Sequence, residues 1–219
     1  SPNTRWDKYL SYTGDVWKEE LSSSVMHPGI GYIIRVPKPF AWPDPNAASY
    51  VQPVQFIGKP NNGNITSSQY LQTGKYYLIG NPYPSAIHAD DFLKNAHNDL
   101  ILGGTIYFWT HNTPITANLY NANDYATYNA TGGAGTAASP NPGVNPNVPT
   151  GNIAAGQGFF VQGLTSGTVN FDNTMRLTGL NNLFYRSADA PTTLAIEKHR
   201  IWLNIINQQG AYKQMLLGY

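Results

Sequence analysis

The chain has 219 residues, a formal net charge of +1, and only 11% charged side chains against 41% apolar ones, well under the roughly 25% charge typical of soluble domains. A nucleic acid or anionic membrane partner calls for a clustered basic patch, and the 13 Lys and Arg are scattered. Cysteine is absent, which excludes a disulfide framework and thiolate metal ligation, and no run approaches the roughly 20 apolar residues of a spanning helix.

Short runs rich in β-branched and aromatic residues, bounded by Gly, Pro or Asn, recur along the chain at 31–36, 54–57, 76–79, 105–109, 158–161, 168–171, 200–205 and 212–217. That is the strand signature. Eight or more short strands predict an all-β domain, a jelly-roll-like β-sandwich. The reading is of one domain over 1–219, with two related β halves at about 25–100 and 101–219, and both ends look like cuts from something longer.

One segment predicts a helix. Over 89–97, Asp90 and Asp91 fall in the first turn and His97 in the last, with Ser85 or His88 as N-cap and Phe92, Leu93 and Ala96 as a small apolar face. The stretch before it, Gly80-Asn81-Pro82-Tyr83-Pro84-Ser85, is stiffened by two prolines and reads as a fixed corner from strand to helix, with a cis bond open at either X-Pro. Segment 130–152 has almost no core-forming side chain and reads as a long exposed loop. An internal echo, Gly29-Ile30-Gly31-Tyr32 with Val54-Gln55-Phe56 against Gly156-Gln157-Gly158-Phe159 with Val169-Asn170-Phe171, suggests two related hairpins facing each other.

Few residues offer chemistry. A glycosidase uses two carboxylates, yet there are only three Glu, of which Glu19 and Glu20 are neighbours and Glu197 lies in a charged strand entrance. His88, Asp90 and Asp91 resemble a metal set, but capping accounts for them with fewer assumptions, so no metal and no cofactor is expected. The Gly29/Gly31 and Gly156/Gly158 pairs precede strands, which makes them bulge or turn glycines rather than a phosphate cradle, and no G-x-S-x-G elbow occurs. Aromatics remain. Trp42 sits on a loop, and Trp42, Tyr83 and Trp109, with Tyr107 nearby in sequence to Trp109, are the candidate ligand-binding residues of a sugar-stacking platform. The competing reading places them in a core, Trp109 and Trp202 above all.

The strings 77–87 (YLIGNPYPSAI), 104–113 (GTIYFWTHNT), 124–129 (DYATYN), 153–161 (IAAGQGFFV), 171–176 (FDNTMR) and 199–204 (HRIWLN) together resemble a region found near the C-terminus of large secreted adhesin-like proteins of the Bacteroidetes, especially flavobacteria. The likeness covers about 25–219. It implies export by the type IX secretion system, a place at the outer cell surface just before a sorting domain, and partners among the secretion apparatus, other surface proteins or glycans. It carries no catalytic residues, and His88 stands where that family usually has Asp. The expected function is a non-catalytic structural or adhesive module, with a carbohydrate-binding module as the alternative.

Overall fold

The computed structural model describes residues 8–34, 56–109, 124–134, 148–181, 184–185, 200–206 and 212–218. The chain divides into two compact units, Ser1–Asp189 and Ala190–Tyr219, where one domain over 1–219 was expected. In the smaller unit, strands Arg200–Ile206 and Tyr212–Gly218 form an antiparallel two-stranded ladder.

The larger unit is all-β and sandwich-like. Its first strands, β1 (Tyr9–Thr13) and β2 (Val16–Glu19), form a hairpin closed by Gly14 and Asp15, both at positive φ (59° and 70°). A two-residue loop with both φ positive is the turn whose twist matches the flanking strands. Asp15 then ties this turn to the next strand: its Oδ1 accepts from the Tyr76 N–H at 2.8 Å, and Oδ2 meets Lys75 Nζ at 2.9 Å.

The main sheet is completed by β3 (Tyr32–Ile34), which pairs with β1, and by β5 (Tyr76–Gly80), β7 (Leu102–Trp109), β8 (Tyr125–Asn129), β9 (Gly132–Ala134) and β11 (Gly158–Gly163). All pairings are antiparallel, in the order β2-β1-β5-β11-β7-β8-β9. The period of two sends Tyr77, Ile79, Ile106, Phe108, Ala126, Tyr128, Phe159 and Val161 to one face, where all are buried. Facing them is a second layer built from fragments: the two-residue ladders of β4 (Ile65–Thr66) with β12 (Asn170–Phe171) and β6 (Ile87–His88) with β10 (Asn152–Ile153), the helices α1 (Ala89–Leu93) and α2 (Asn98–Ile101), and a 3-10 turn, Asn173–Met175. Phe92 of α1 is the keystone between the layers. It stacks on Phe171 at 5.0 Å between centroids and meets Phe159 edge-on at 5.4 Å.

Several expectations change. The strands before residue 100 and those after it share one sheet, joined at the β5–β11 ladder, and pair again across the second layer as β4 with β12 and β6 with β10. The echoed segments are not facing hairpins: β11 pairs with β5 and β7, whereas Asn170–Phe171 pairs with Ile65–Thr66, and 56–57 lies outside any strand. The helix expected over 89–97 stops at Leu93. Asn95 then turns its side-chain oxygen onto the N–H groups of His97 (3.1 Å) and Asn98 (3.3 Å), starting α2 instead of prolonging α1. Both ends of the supposed loop 130–152 are strand, β9 and β10, and 135–147 lies outside the described residues. Among the described residues no peptide bond is cis.

Gly31 marks the tightest approach on β5. Its N–H donates to the Leu78 carbonyl at 2.9 Å, and a Cβ there would lie 2.5 Å from Leu78 Cγ and 2.9 Å from the Ile79 oxygen. The obstacle is largely backbone, which cannot swing aside. Gly31→Ala is expected to destabilise the domain by about 1–3 kcal/mol, lowering the thermal midpoint by roughly 2–4 °C per kcal/mol, while Gly103→Ala, whose Cβ would meet nothing closer than 3.7 Å, leaves the midpoint unchanged. Calorimetry on the two variants checks this, and equal midpoints would refute it.

Candidate functional site

The stiff corner after β5 is organised by one buried carboxamide. Asn81 is 4% exposed. Its Nδ2 donates to the carbonyls of Ser85 (2.9 Å) and Ala154 (2.9 Å), with Ile153 O at 3.4 Å sharing the second hydrogen, and its Oδ1 accepts from the Tyr83 N–H at 3.0 Å. A turn that has left the sheet and cannot reach water thereby finds partners for its backbone. Asn98, fully buried, repeats the device: Nδ2 donates to Phe92 O (2.9 Å) and Asn170 O (2.8 Å), and Oδ1 accepts from Asn170 N (2.8 Å). Gln157 does the same at the β11 entrance, where Oε1 accepts from Ala154 N at 3.0 Å.

The would-be metal residues serve the framework. His88 Nδ1 accepts from Asp90 N at 3.2 Å as the N-cap of α1, as one of the two expected caps, while Ser85 Oγ instead accepts from Arg176 Nε at 2.8 Å. Asp90 Oδ2 meets Lys94 Nζ at 2.8 Å and Oδ1 accepts from the Tyr128 hydroxyl at 2.9 Å. The Lys94 ammonium, ahead of the Tyr128 hydroxyl, holds the Asp90 carboxyl below its usual range. Burial, reinforced by the Asp90 carboxylate, pushes the Tyr128 phenol up to about 12. Among the described residues no group of three His, Cys, Asp or Glu is placed to hold a metal.

Of the aromatic candidates, Tyr83 and Trp109 are not brought together. Trp42 lies outside the described residues. Tyr83 is 2% exposed, packs edge-on against Phe171 at 6.4 Å, and donates its hydroxyl to Gly63 O at 2.6 Å, so no ring face is open to a ligand. Trp109 is half-buried at the end of β7 and sits opposite Tyr125, on the other face of the sheet from the core. That outer face also carries Tyr107, named with Trp109 from the sequence, which meets Tyr76 at 5.7 Å, and aromatics which the sequence reading passed over: Phe160 is ringed edge-on by Tyr12 (5.4 Å), Trp17 (6.2 Å) and Tyr125 (5.5 Å). Alternation in Tyr9-Leu10-Ser11-Tyr12-Thr13 and the Gly-Asp turn after it were the available signal.

A groove of about 240 Å³ opens beside the β4–β12 ladder, lined by Asn64, Ile65, Thr66, Asn95, Asn170, Phe171 and Asp172. Apart from Asn64, its polar groups are braced by one another and by the backbone. Thr66 Oγ1 donates to Asn170 Oδ1 (2.9 Å), Asn95 Nδ2 donates to Asp172 Oδ2 (3.1 Å), and Asp172 Oδ1 caps the 3-10 turn by accepting from Thr174 N (2.8 Å). Nothing in their spacing along the chain marks these residues as neighbours, since ladder pairing joins positions more than 100 residues apart.

The family described as a domain of unknown function, DUF8693, matches residues 1–219. The chain belongs to it. No curated protein and no solved structure matches. In this DUF8693 domain, then, the buried amides, the Asp90–Tyr128 pair and the groove are the features from which function is argued.

The Tyr128–Asp90 bond has a pH signature. Because the folded phenol titrates at about 12 rather than 10, its contribution is whole below pH 10 and is lost as pH rises through about 12; the depressed Asp90 carboxyl contributes above the usual carboxylate range and loses its share as pH falls through its lowered value. Carbon-13 tyrosine NMR should show one phenol titrating near 12 that disappears in Tyr128→Phe, with about 1 kcal/mol of stability lost at neutral pH. A variant that keeps the step would contradict the assignment.

Proposed function

We propose that this domain is a non-catalytic structural or adhesive module of a secreted cell-surface protein exported by the type IX secretion system. The observation that carries the non-catalytic part is where the polar side chains are engaged. Asn81, Asn98 and Gln157 bind the chain's own backbone, Asp15 binds the Tyr76 N–H and the Lys75 ammonium, and Asp90 is held between Lys94 and Tyr128. A catalytic carboxylate or imidazole has to be free to meet substrate, whereas these groups are engaged by partners within the fold.

Export and surface display are supported by the likeness of the strings to flavobacterial surface proteins. Those strings fall on the framework: 77–87 spans β5 and the Asn81 corner, 104–109 lies in β7, and 153–161 runs from β10 into β11. A shared sequence at such places is what a shared scaffold asks for. The aromatic platform of the carbohydrate-binding alternative loses Tyr83 to the core, and the sugar reading passes to the groove below.

The test is made on the full parent chain, epitope-tagged in this domain, in a flavobacterial host with and without a working type IX apparatus. Protease accessibility of the tag on intact cells is expected in the competent strain, with retention behind the outer membrane in the deficient one. Equal surface exposure in both strains would overturn the export route.

A further inference from the structure

We infer that the groove beside the β4–β12 ladder is a binding site for a single ring of a neutral saccharide, recognised by Asn64, Asn95, Asn170 and Asp172. The inference rests on the adhesive half of the reading above and gives it a ligand. Its first support is the chemistry of the lining. Three carboxamides, one hydroxyl and one carboxylate surround the groove, while Phe171 beneath it is fully buried and Ile65 half-buried. An apolar ligand would find few partners. A phosphate would face the Asp172 carboxylate, and a cation would find one carboxylate alone.

Vicinal hydroxyls, each both donor and acceptor, match alternating amide N–H and carboxylate or amide oxygen. Such groups remain at the groove. The Asn64 side chain is exposed and has no partner among the described residues, Asn95 and Asn170 each retain amide hydrogens beyond the bonds they make, and Asp172 Oδ2 has lone pairs left after accepting from Asn95.

The second support is preorganisation. Both backbone polar groups of Asn170 are clamped by the buried Asn98 carboxamide, Asp172 is fixed as a cap, and Asn95 Oδ1 is fixed by His97 N. Side chains already immobilised lose little rotamer entropy on binding, which is what a shallow site without a stacking aromatic depends on. The volume of about 240 Å³ falls below the roughly 300 Å³ at which drug-sized pockets begin, suiting one ring rather than a buried oligosaccharide.

Nitrogen-15 NMR titration with D-mannose, D-galactose and N-acetyl-D-glucosamine tests this on wild type, Asn64→Ala and Asp172→Asn. Asn64 makes no bond to lose, and Asp172→Asn keeps the oxygen that caps Thr174 while giving up the one bond from Asn95, so both variants are expected to fold. At least one sugar should shift the amides at 64–66, 95 and 170–172 with a dissociation constant on the order of 1–10 mM, weakened fivefold or more in both variants. Absence of shifts at 100 mM of every sugar would overturn the inference, as would shifts centred on Trp17 and Trp109, equal affinity in the variants, or the same shifts produced by calcium chloride alone. Because the titration uses no cells, its failure leaves the surface-display result standing, and the reverse holds equally.

Discussion

Burial of the Asn81 carboxamide is the constraint on which the rest of the larger unit depends. Two prolines force the chain out of β5 along an extended path where no ladder partner exists, yet the turn lies against the core with Tyr83 and Ala86 buried. Backbone groups in that position have to be bonded within the protein or cost about 1–3 kcal/mol each. One side chain supplies bonds to Tyr83 N, Ser85 O and Ala154 O, so a single group ties the corner to the approach to β11. Aspartate is nearly the same shape but has no N–H to give, so it would leave both carbonyls without a donor.

The same logic extends across the second layer. Ladders of two residues contribute few backbone bonds, and helices of one turn do not hold themselves together. They persist here because Asn98 stitches α1 to β12 and Phe92 wedges between Phe159 and Phe171. A chain with 11% charged residues makes its buried polar links with carboxamide hydrogen bonds, and the groove follows from that: side-chain amides that brace the fold leave further hydrogens and lone pairs at the surface.

Strands β5, β7 and β11 were legible because each is a run of aromatic and branched residues bounded by Gly or Pro, buried on the core face. The N-cap role of His88 was legible from its position before two aspartates. Other elements were not. β1 and β2 carry Ser, Thr, Lys and Glu among their aromatics, and their only sharp signal is the Gly14-Asp15 turn. The strand at 170–171 was legible within the run 168–171, but its partner at 65–66 exists because the two find each other across the fold, which no local window records. The break at Asn95 hid for a similar reason, since a side chain competing for two N–H groups looks in sequence like one more helical polar residue. Tyr83 was misplaced because its ring was weighed without its hydroxyl, which has a buried carbonyl, Gly63 O, to satisfy.

The most direct measurement of this account is hydrogen exchange at the Asn81 and Asn98 side-chain amides in nitrogen-15 spectra of the wild-type domain. Both Nδ2 groups should show two resolved resonances exchanging as slowly as the Ile79 and Phe159 backbone amides of the central sheet. Exchange at the rate of an exposed asparagine such as Asn64 would mean that the corner is not held by its amide, and the account would fail at its centre.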